Sequence, residues 1–331
     1  MEKLLQSAWQ YREQLGFLMA GPALRVFHGP GEGVGALKNV SVDRFNEHAW
    51  VTLWEEKTEG TVLKAFEQSI RDPLCHFLTE KKLSSAVLLY RPLKGIPENS
   101  AVLMGEPPSE RFEVREGPAR FWIQLLDTKH PGLFLDHAPL RRWLMAHSRG
   151  LRVLNTFAYT GSLSIAAALG GAAHVTTLDL SKATMKWAEA NGQLNGLTED
   201  RARWIAGDVF EWLPRLKREI TQGKNNLYDM IILDPPSFSR SDTGTFSTAK
   251  DLTLLHSLAL DVLAPQGLLV TSINSAQITW ANFEKDLLLA AEKHGRKLQV
   301  LKRLEQPETF PNWLHENARE RYLKGYIFRV L

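Results

Sequence analysis

The stretch L-R-V-L-N-T-F-A-Y-T-G, residues 151–161, decides how this chain reads. Val153 and Leu154 are apolar and follow the basic residues Arg149 and Arg152, which marks a short buried strand. The chain then turns through Asn155, Thr156, Phe157, Ala158, Tyr159 and Thr160 to Gly161. Beyond it, S-L-S-I-A-A-A-L (162–169) is rich in Ala and Leu and favours helix. A strand, a turn closing on glycine and a helix make the first βα unit of a doubly wound sheet. Glycine removes the Cβ where a ligand or the helix must come close to the backbone. Eighteen residues after Gly161, a second apolar run (175–178) ends in Asp179. An acidic residue about 20 positions past the glycine turn suits hydrogen bonds to a ribose diol. The unit reads as a nucleoside site. A ligand-free βαβ unit, with Asp179 only starting the next turn, fits the same letters.

A dinucleotide is a poor fit. The G-x-G-x-x-G pattern is absent, and Gly161 is the one glycine of the turn. Pyrophosphate binding asks for several glycines and a free helix N-terminus, and here Phe157 and Tyr159 fill those places.

At 331 residues the chain is long enough for two domains with a core each. Its 44% apolar and 23% charged residues are ordinary for a globular protein. The longest uncharged run, 153–178, is broken by Asn155, Tyr159, His174 and several Thr and Ser, which argues against a membrane span. Glu2 and Lys3 precede no apolar signal segment. Cys75 is the single cysteine, which excludes an internal disulfide and fits a reducing cytosol, so the cytoplasm is the expected compartment. With no C-x-x-C or H-E-x-x-H, no metal is expected. The net charge of +3 does not announce a nucleic-acid binder. Residues 293–331, however, carry nine Lys or Arg against four Glu, an electrostatic footprint for phosphates or a solvated face.

The pattern predicts one helix over 2–20, stopped by Gly21-Pro22. A strand over 24–27 follows, then a Gly-rich turn over 29–35, and paired strands over 40–45 and 49–54. Residues 61–81 have helical spacing in their first half, and 86–90 read as a strand. Residues 94–108, with three prolines, read as an exposed loop, and 112–114 with 120–125 as a hairpin. Residues 1–130 thus form a small α+β domain. Residues 127–137 connect it to a helix holding Arg141 and Arg142, as linker or as cleft wall. From 131 to 331 strands and helices alternate. Ser181 caps a helix over 182–194. Strands over 203–206 and 228–233 end at Gly207-Asp208 and at Asp234-Pro235-Pro236. A helix over 251–263 and a strand over 267–272 follow, and strands over 298–304 and 322–330 read as an antiparallel edge pair. The expected fold is α/β: a doubly wound, mostly parallel seven-stranded sheet behind a smaller N-terminal α+β domain.

Four loops then share the carboxyl edge of the sheet, where open α/β sheets bind ligands: 155–161, Asp179, Asp208 and 234–239. Asp208 suits the adenine amino group and Asp179 the ribose hydroxyls. In D-P-P-S-F the prolines fix the backbone and leave their carbonyls without a neighbouring donor. Those carbonyls and the Asp234 carboxylate can accept from a base, and Phe238 offers a stacking face worth about 1–3 kcal/mol. Each Asp would serve equally as a cap of the helix that follows.

The set N-T-F-A-Y-T-G, T-L-D-L-S, A-G-D-V-F and D-P-P-S-F resembles a class I S-adenosylmethionine-dependent methyltransferase. Within that group it is similar to the 23S rRNA methyltransferases acting on guanine N7 or cytosine C5. Upstream, Gly132–His137 resembles the family connector G-x-F-L-D-[HQ]-R, and 40–45 its V-D-R-[YF] strand. The resemblance covers roughly residues 24–331. It implies S-adenosylmethionine as cofactor, held by Phe134, Asp136, Asn155, Phe157, Tyr159, Thr160, Gly161, Asp179, Ser181 and Asp208. It implies reaction chemistry at Asp234, Pro235, Pro236 and Phe238, with rRNA or a ribosome assembly intermediate as partner. Two features depart from it. Ala138 stands where the family often has Arg, and residues 1–45 are short for the separate RNA-binding module of the C5 branch.

A ring nitrogen with a free lone pair needs positioning and electrostatics. Cytosine C5 needs a nucleophile, usually a thiolate. No cysteine follows residue 75; the candidate places read Asp-Pro-Pro-Ser and Ile273-Asn274-Ser275. N-methylation of guanine is therefore the expected chemistry, ahead of C5 methylation. A small-molecule methyltransferase and a non-catalytic RNA-binding relative are the readings from other classes.

Overall fold

In the computed structural model the described residues are 1–21, 23–55, 58–95, 97–241, 244–275, 278–311 and 322–331, with backbone alone at 19, 20, 239–241 and 245. The chain divides into Met1–Asp136 with Pro307–Arg319, and His137–Gln306 with Glu320–Leu331. This differs from the expected junction at 130/131. The connector's hydrogen bonds explain why: Ser100 N–H donates to the Thr128 carbonyl at 2.9 Å and Gln124 N–H to that of Pro131 at 3.0 Å. Leu133 and Leu135 are buried.

In the first unit, α1 (Glu2–Gln14) and α2 (Phe17–Ala20) replace the single expected helix. Gly16, at φ +73°, breaks it. Strands β1 (Ala23–His28), β2 (Val40–Phe45), β3 (His48–Trp54), β4 (Ser85–Arg91) and β5 (Ala101–Met104) form a sheet in that order. All neighbours are antiparallel except β3 and β4. A parallel pair needs a crossover. It runs through α4 (Thr61–Ala65), a π-turn at Phe66–Ile70 and α5 (Arg71–Glu80), where α3 (Gly29–Glu32) precedes them in the chain. Two expectations fail here. The Gly-rich turn is partly helical, and the loop over 94–108 contains β5, an apolar four-residue strand that the surrounding prolines hid. Strands β6 (Phe112–Glu116) and β7 (Ala119–Ile123) make the expected hairpin.

Arg12, fully buried, ties this unit together. Its guanidinium grips both Glu32 oxygens at 2.5 and 2.8 Å. It also donates to the carbonyls of Ala8, Arg25 and Thr309. A second bidentate pair, Arg25–Asp43 at 2.7 and 2.8 Å, lies beside His28. Burial, then the charges of Arg25 and Arg12, push His28 down to about 2, so it stays neutral.

In the second unit the elements run α6 (Ala138–His147), β8 (Arg152–Thr156), α7 (Ser162–Leu169), β9 (His174–Asp179), α8 (Lys182–Leu194), β10 (Ala202–Ala206), α9 (Val209–Thr221) and β11 (Tyr228–Leu233). A hairpin of β12 (Phe238–Ser241) and β13 (Gly244–Ser247) follows, then α10 (Thr248–Leu260), β14 (Leu263–Asn274), α11 (Trp280–Lys293), β15 (Leu298–Leu304) and β16 (Leu323–Val330). The seven-stranded sheet has the order β10-β9-β8-β11-β14-β16-β15. It is parallel from β10 to β14, and β16 runs antiparallel to both its neighbours. Apolar runs are buried on both faces. Along β11, Ile231 and Leu233 join a core with Leu213, Leu255 and Phe283, whereas Met230 and Ile232 join one with Leu144, Ala166 and Ile327. The chain winds outward from β8 to β10 and restarts on the other side at β11, so the switch point of the sheet lies between β8 and β11. No helix among the described residues is long and apolar enough to cross a membrane.

Candidate functional site

The loop leaving β8 alternates left-handed residues: Phe157 at φ +53°, Tyr159 at +51° and Gly161 at +76°. For non-glycine residues this costs of order 1–3 kcal/mol each and is typical of ligand sites. Backbone bonds compensate. Ala158 N–H donates to the Leu178 carbonyl at 3.1 Å, and Tyr159 N–H to Asp179 Oδ2 at 2.9 Å. A Cβ on Gly161 would lie 3.1 Å from Ala188 Cβ and 3.2 Å from Trp204. The glycine thus serves the left-handed turn and the packing of α8 and β10, of the two uses the sequence allows.

Asp179 and Asp208 end adjacent strands, with Ala206 paired to Asp179 in register. Asp179 Oδ1 accepts from Ser181 N–H at 3.0 Å, and Ser181 caps α8 by accepting from Thr184 N–H at 3.2 Å. Asp208 caps α9 through Phe210 N–H at 2.8 Å. Capping and ligand binding, alternatives in the sequence, are compatible here, because each half-buried carboxylate keeps further lone pairs. Phe157 stacks on Phe246 at 5.8 Å, and Tyr159 leans on Trp187 at 6.5 Å.

Two expected cofactor contacts point elsewhere. Asn155 is fully buried, with its amide donating to Ser164 Oγ at 2.9 Å. Thr160 is buried as well, and its carbonyl accepts from Asn191 at 2.9 Å. Both brace the loop from behind. Phe134 and Asp136 close the first unit; Phe134 packs on His130 at 5.4 Å, and Asp136 is buried in the turn Leu135–His137.

At the end of β11, Asp234 is gripped from two sides. His137 Nε2, at the N-cap of α6, lies 3.0 Å from Oδ2, and Ser272 Oγ donates to Oδ1 at 2.6 Å. Burial pushes the Asp234 carboxyl up, but the His137 charge and the His137 and Ser272 hydrogen bonds outweigh it and leave it below its ordinary value. Pro235 is buried and Pro236 exposed. Ser237 Oγ donates to the Asn274 carbonyl at 2.7 Å, anchoring the loop to β14. Phe238 is 61% exposed. The sequence contained His137 only as a connector letter. Its contact with Asp234 spans nearly a hundred residues, which no spacing reveals.

The basic carboxyl-terminal segment is not one phosphate face. Arg296 holds the carbonyls of Leu263 and Ala264, Lys324 is buried with Nζ on the Ser275 carbonyl, and Arg303 lies over Trp280. Lys293, Lys297 and Lys302 are exposed, while Arg319 and Arg321 fall outside the described residues. Of the two arginines on the helix after the connector, Arg141 is fully buried and Arg142 is exposed. In the first unit, Glu2, His76 and Glu80 bring ligand-type atoms within 4.8 Å of one another on the surface.

Cys75 is half-buried on α5, and burial pushes its thiol up, away from the thiolate a nucleophile requires. Cys75→Ser should therefore leave turnover nearly intact in a methyl-transfer assay. A folded but inactive Cys75→Ser protein would contradict this and point to covalent chemistry.

Residues 24–329 match the profile of the S-adenosylmethionine-dependent methyltransferases. The chain belongs to that family. The methyltransferase is 43% identical over 167 residues to the ribosomal RNA large subunit methyltransferase K/L of Chromohalobacter salexigens, a match covering 50% of this chain and 22% of that protein. It is 32% identical over 240 residues to the ribosomal RNA large subunit methyltransferase I of Aeromonas salmonicida, covering 72% and 59%. The matched region is thus less than two thirds of either relative. Its structure is similar to that of SMU.776 complexed with SAH, with a TM-score of 0.86, 26% identity, and coverage of 99% of this chain and 80% of that one.

S-adenosylmethionine is the cofactor of the methyltransferase. The acceptor set at the sheet edge suits it: two carboxylates on adjacent strands for a diol and an amino group, beside the aromatic rings of Phe157 and Tyr159.

Proposed function

We propose that the methyltransferase methylates a base nitrogen of large-subunit rRNA, guanine N7, in free rRNA or an assembly intermediate. The carrying observation is that its one cysteine, Cys75, sits half-buried on α5 of the first unit, whereas the carboxyl edge of the second unit offers Asp234, Pro235 and Pro236. Without a thiolate at that edge, carbon methylation lacks its nucleophile. The names of the relatives support an rRNA substrate.

S-adenosylmethionine supplies an already activated sulfonium methyl. The chain positions it: Asp179 takes the ribose hydroxyls, Asp208 the adenine amino group, and Ser181, Phe157 and Tyr159 complete the wall. Phe134 and Asp136 join them as the family resemblance implies. Guanine N7 presents an in-plane lone pair, so no proton leaves and no base is required. The Asp234 carboxylate and the Pro235 carbonyl accept from guanine N1–H and N2–H₂. The exposed Phe238 stacks on the extruded ring. Extrusion costs a few kcal/mol, and stacking worth about 1–3 kcal/mol offsets much of it. Arg142, Lys293, Lys297 and Lys302 are the exposed cations available to flanking phosphates.

The test is methylation of rRNA in vitro, digestion, and chromatography against nucleoside standards. 7-Methylguanosine is the expected product. Recovery of 5-methylcytidine, or of N2-methylguanosine alone, would overturn the choice of atom.

A further inference from the structure

We infer that His137 is a positioning residue that keeps the Asp234 carboxylate ionised and fixed at the head of the D-P-P-S-F loop. His137 precedes Asp234 by 97 residues in the sequence, yet its imidazole is the group placed on Asp234 Oδ2, at 3.0 Å. Ser272 holds the other oxygen from β14, at 2.6 Å. From β16, Lys324 directs its ammonium to the Ser275 carbonyl at 3.0 Å. Among the described residues, the charge acting on Asp234 is that of His137. Both His137 and Ser272 are buried, so solvent screens the contacts little.

Burial by itself favours a neutral carboxyl. The imidazole and the serine hydroxyl reverse that preference here. Among the described residues, removing His137 would leave burial opposed by Ser272 alone, and the carboxyl would rise. On the proposed reading, to which this role belongs, methylation leaves guanine cationic. An ionised carboxylate beside the ring stabilises that charge, and a protonated one does not.

The experiment compares wild type, His137→Ala and His137→Gln. Gln keeps an N–H donor without the charge. Methyl transfer to rRNA is followed against pH, and the thermal midpoint is followed against pH without RNA. In the wild type the depressed carboxyl is expected to stay ionised down to the ordinary carboxylate range near pH 4. In His137→Ala the acid limb of kcat should move up by about one pH unit or more, with KM for S-adenosylmethionine unchanged. His137→Gln should recover most of the rate at pH 8 but keep an acid limb above that of the wild type.

The stability readout has its own sign. A depressed carboxyl stabilises the fold above the unfolded-state value, and that stability is lost as pH falls through the lower folded value. A raised carboxyl does the opposite, relieving strain on acidification. The midpoint gap between wild type and His137→Ala should therefore narrow from pH 8 to pH 5. An unmoved acid limb together with a pH-independent gap would overturn the role of His137. No transfer to rRNA by the wild type would count against the substrate reading alone, and the midpoint gap would still decide His137.

Discussion

Replacing Asp179 by alanine is expected to weaken S-adenosylmethionine binding roughly ten- to hundredfold, from the loss of about 1.5–3 kcal/mol of charge-assisted hydrogen bonding. The carboxylate has two tasks. It is the expected partner of the ribose hydroxyls, and it holds the N–H groups of Tyr159 and Ser181 at 2.9 and 3.0 Å. Its removal strands those donors in a loop already held in left-handed conformations at Phe157, Tyr159 and Gly161. Isothermal calorimetry measures the loss directly. Asp179→Asn keeps one acceptor oxygen and should fall between alanine and wild type. Affinity unchanged in the alanine variant would remove Asp179 from the site.

Arg12→Ala should cost about 3–5 kcal/mol, because it leaves the Glu32 carboxylate buried without its partner. Three carbonyls, those of Ala8, Arg25 and Thr309, lose their donor at the same time. Denaturant unfolding of the variant measures this, and a loss below about 1 kcal/mol would contradict a tightly coupled pair. Replacing both Arg12 and Glu32 by apolar residues of similar volume should cost far less than either single change. The comparison therefore separates the pair's attraction from the penalty of stranding one charge.

The second unit was legible because its signals are local. The apolar runs at 228–233 and 175–178 name their strands, and Ser181 caps α8 as its position before 182–194 suggests. The first unit was harder. β5 is four residues long, and only its pairing with β4 makes it a strand. The break at Gly16 depends on one left-handed glycine within a helical pattern. At the site, residue type alone could not separate facing from bracing: Asn155 and Thr160 carry the same chemistry whether they meet a ligand or the back of a loop. Nor could charge counting separate Arg141 and Lys324, both buried, from the exposed Arg142 and Lys302. The His137–Asp234 contact is a product of tertiary folding, and distance along the chain concealed it.

Strand β16 follows β15 in the chain but lies inside it in the sheet, between β14 and β15. During synthesis, the parallel strands from β10 to β14 are complete well before residues 323–330 leave the ribosome. Until they arrive, β14 presents an unpaired edge with Leu269, Val270 and Ile273 in it, all buried in the finished fold. An exposed apolar edge of that kind is a template for pairing with other chains. β15, in turn, pairs only with β16 among the described strands and gains its place only with β16. The sheet is thus completed when β16 and β15 add as an antiparallel pair to the open edge of β14. Nascent chains stalled before residue 323 should be the aggregation-prone species.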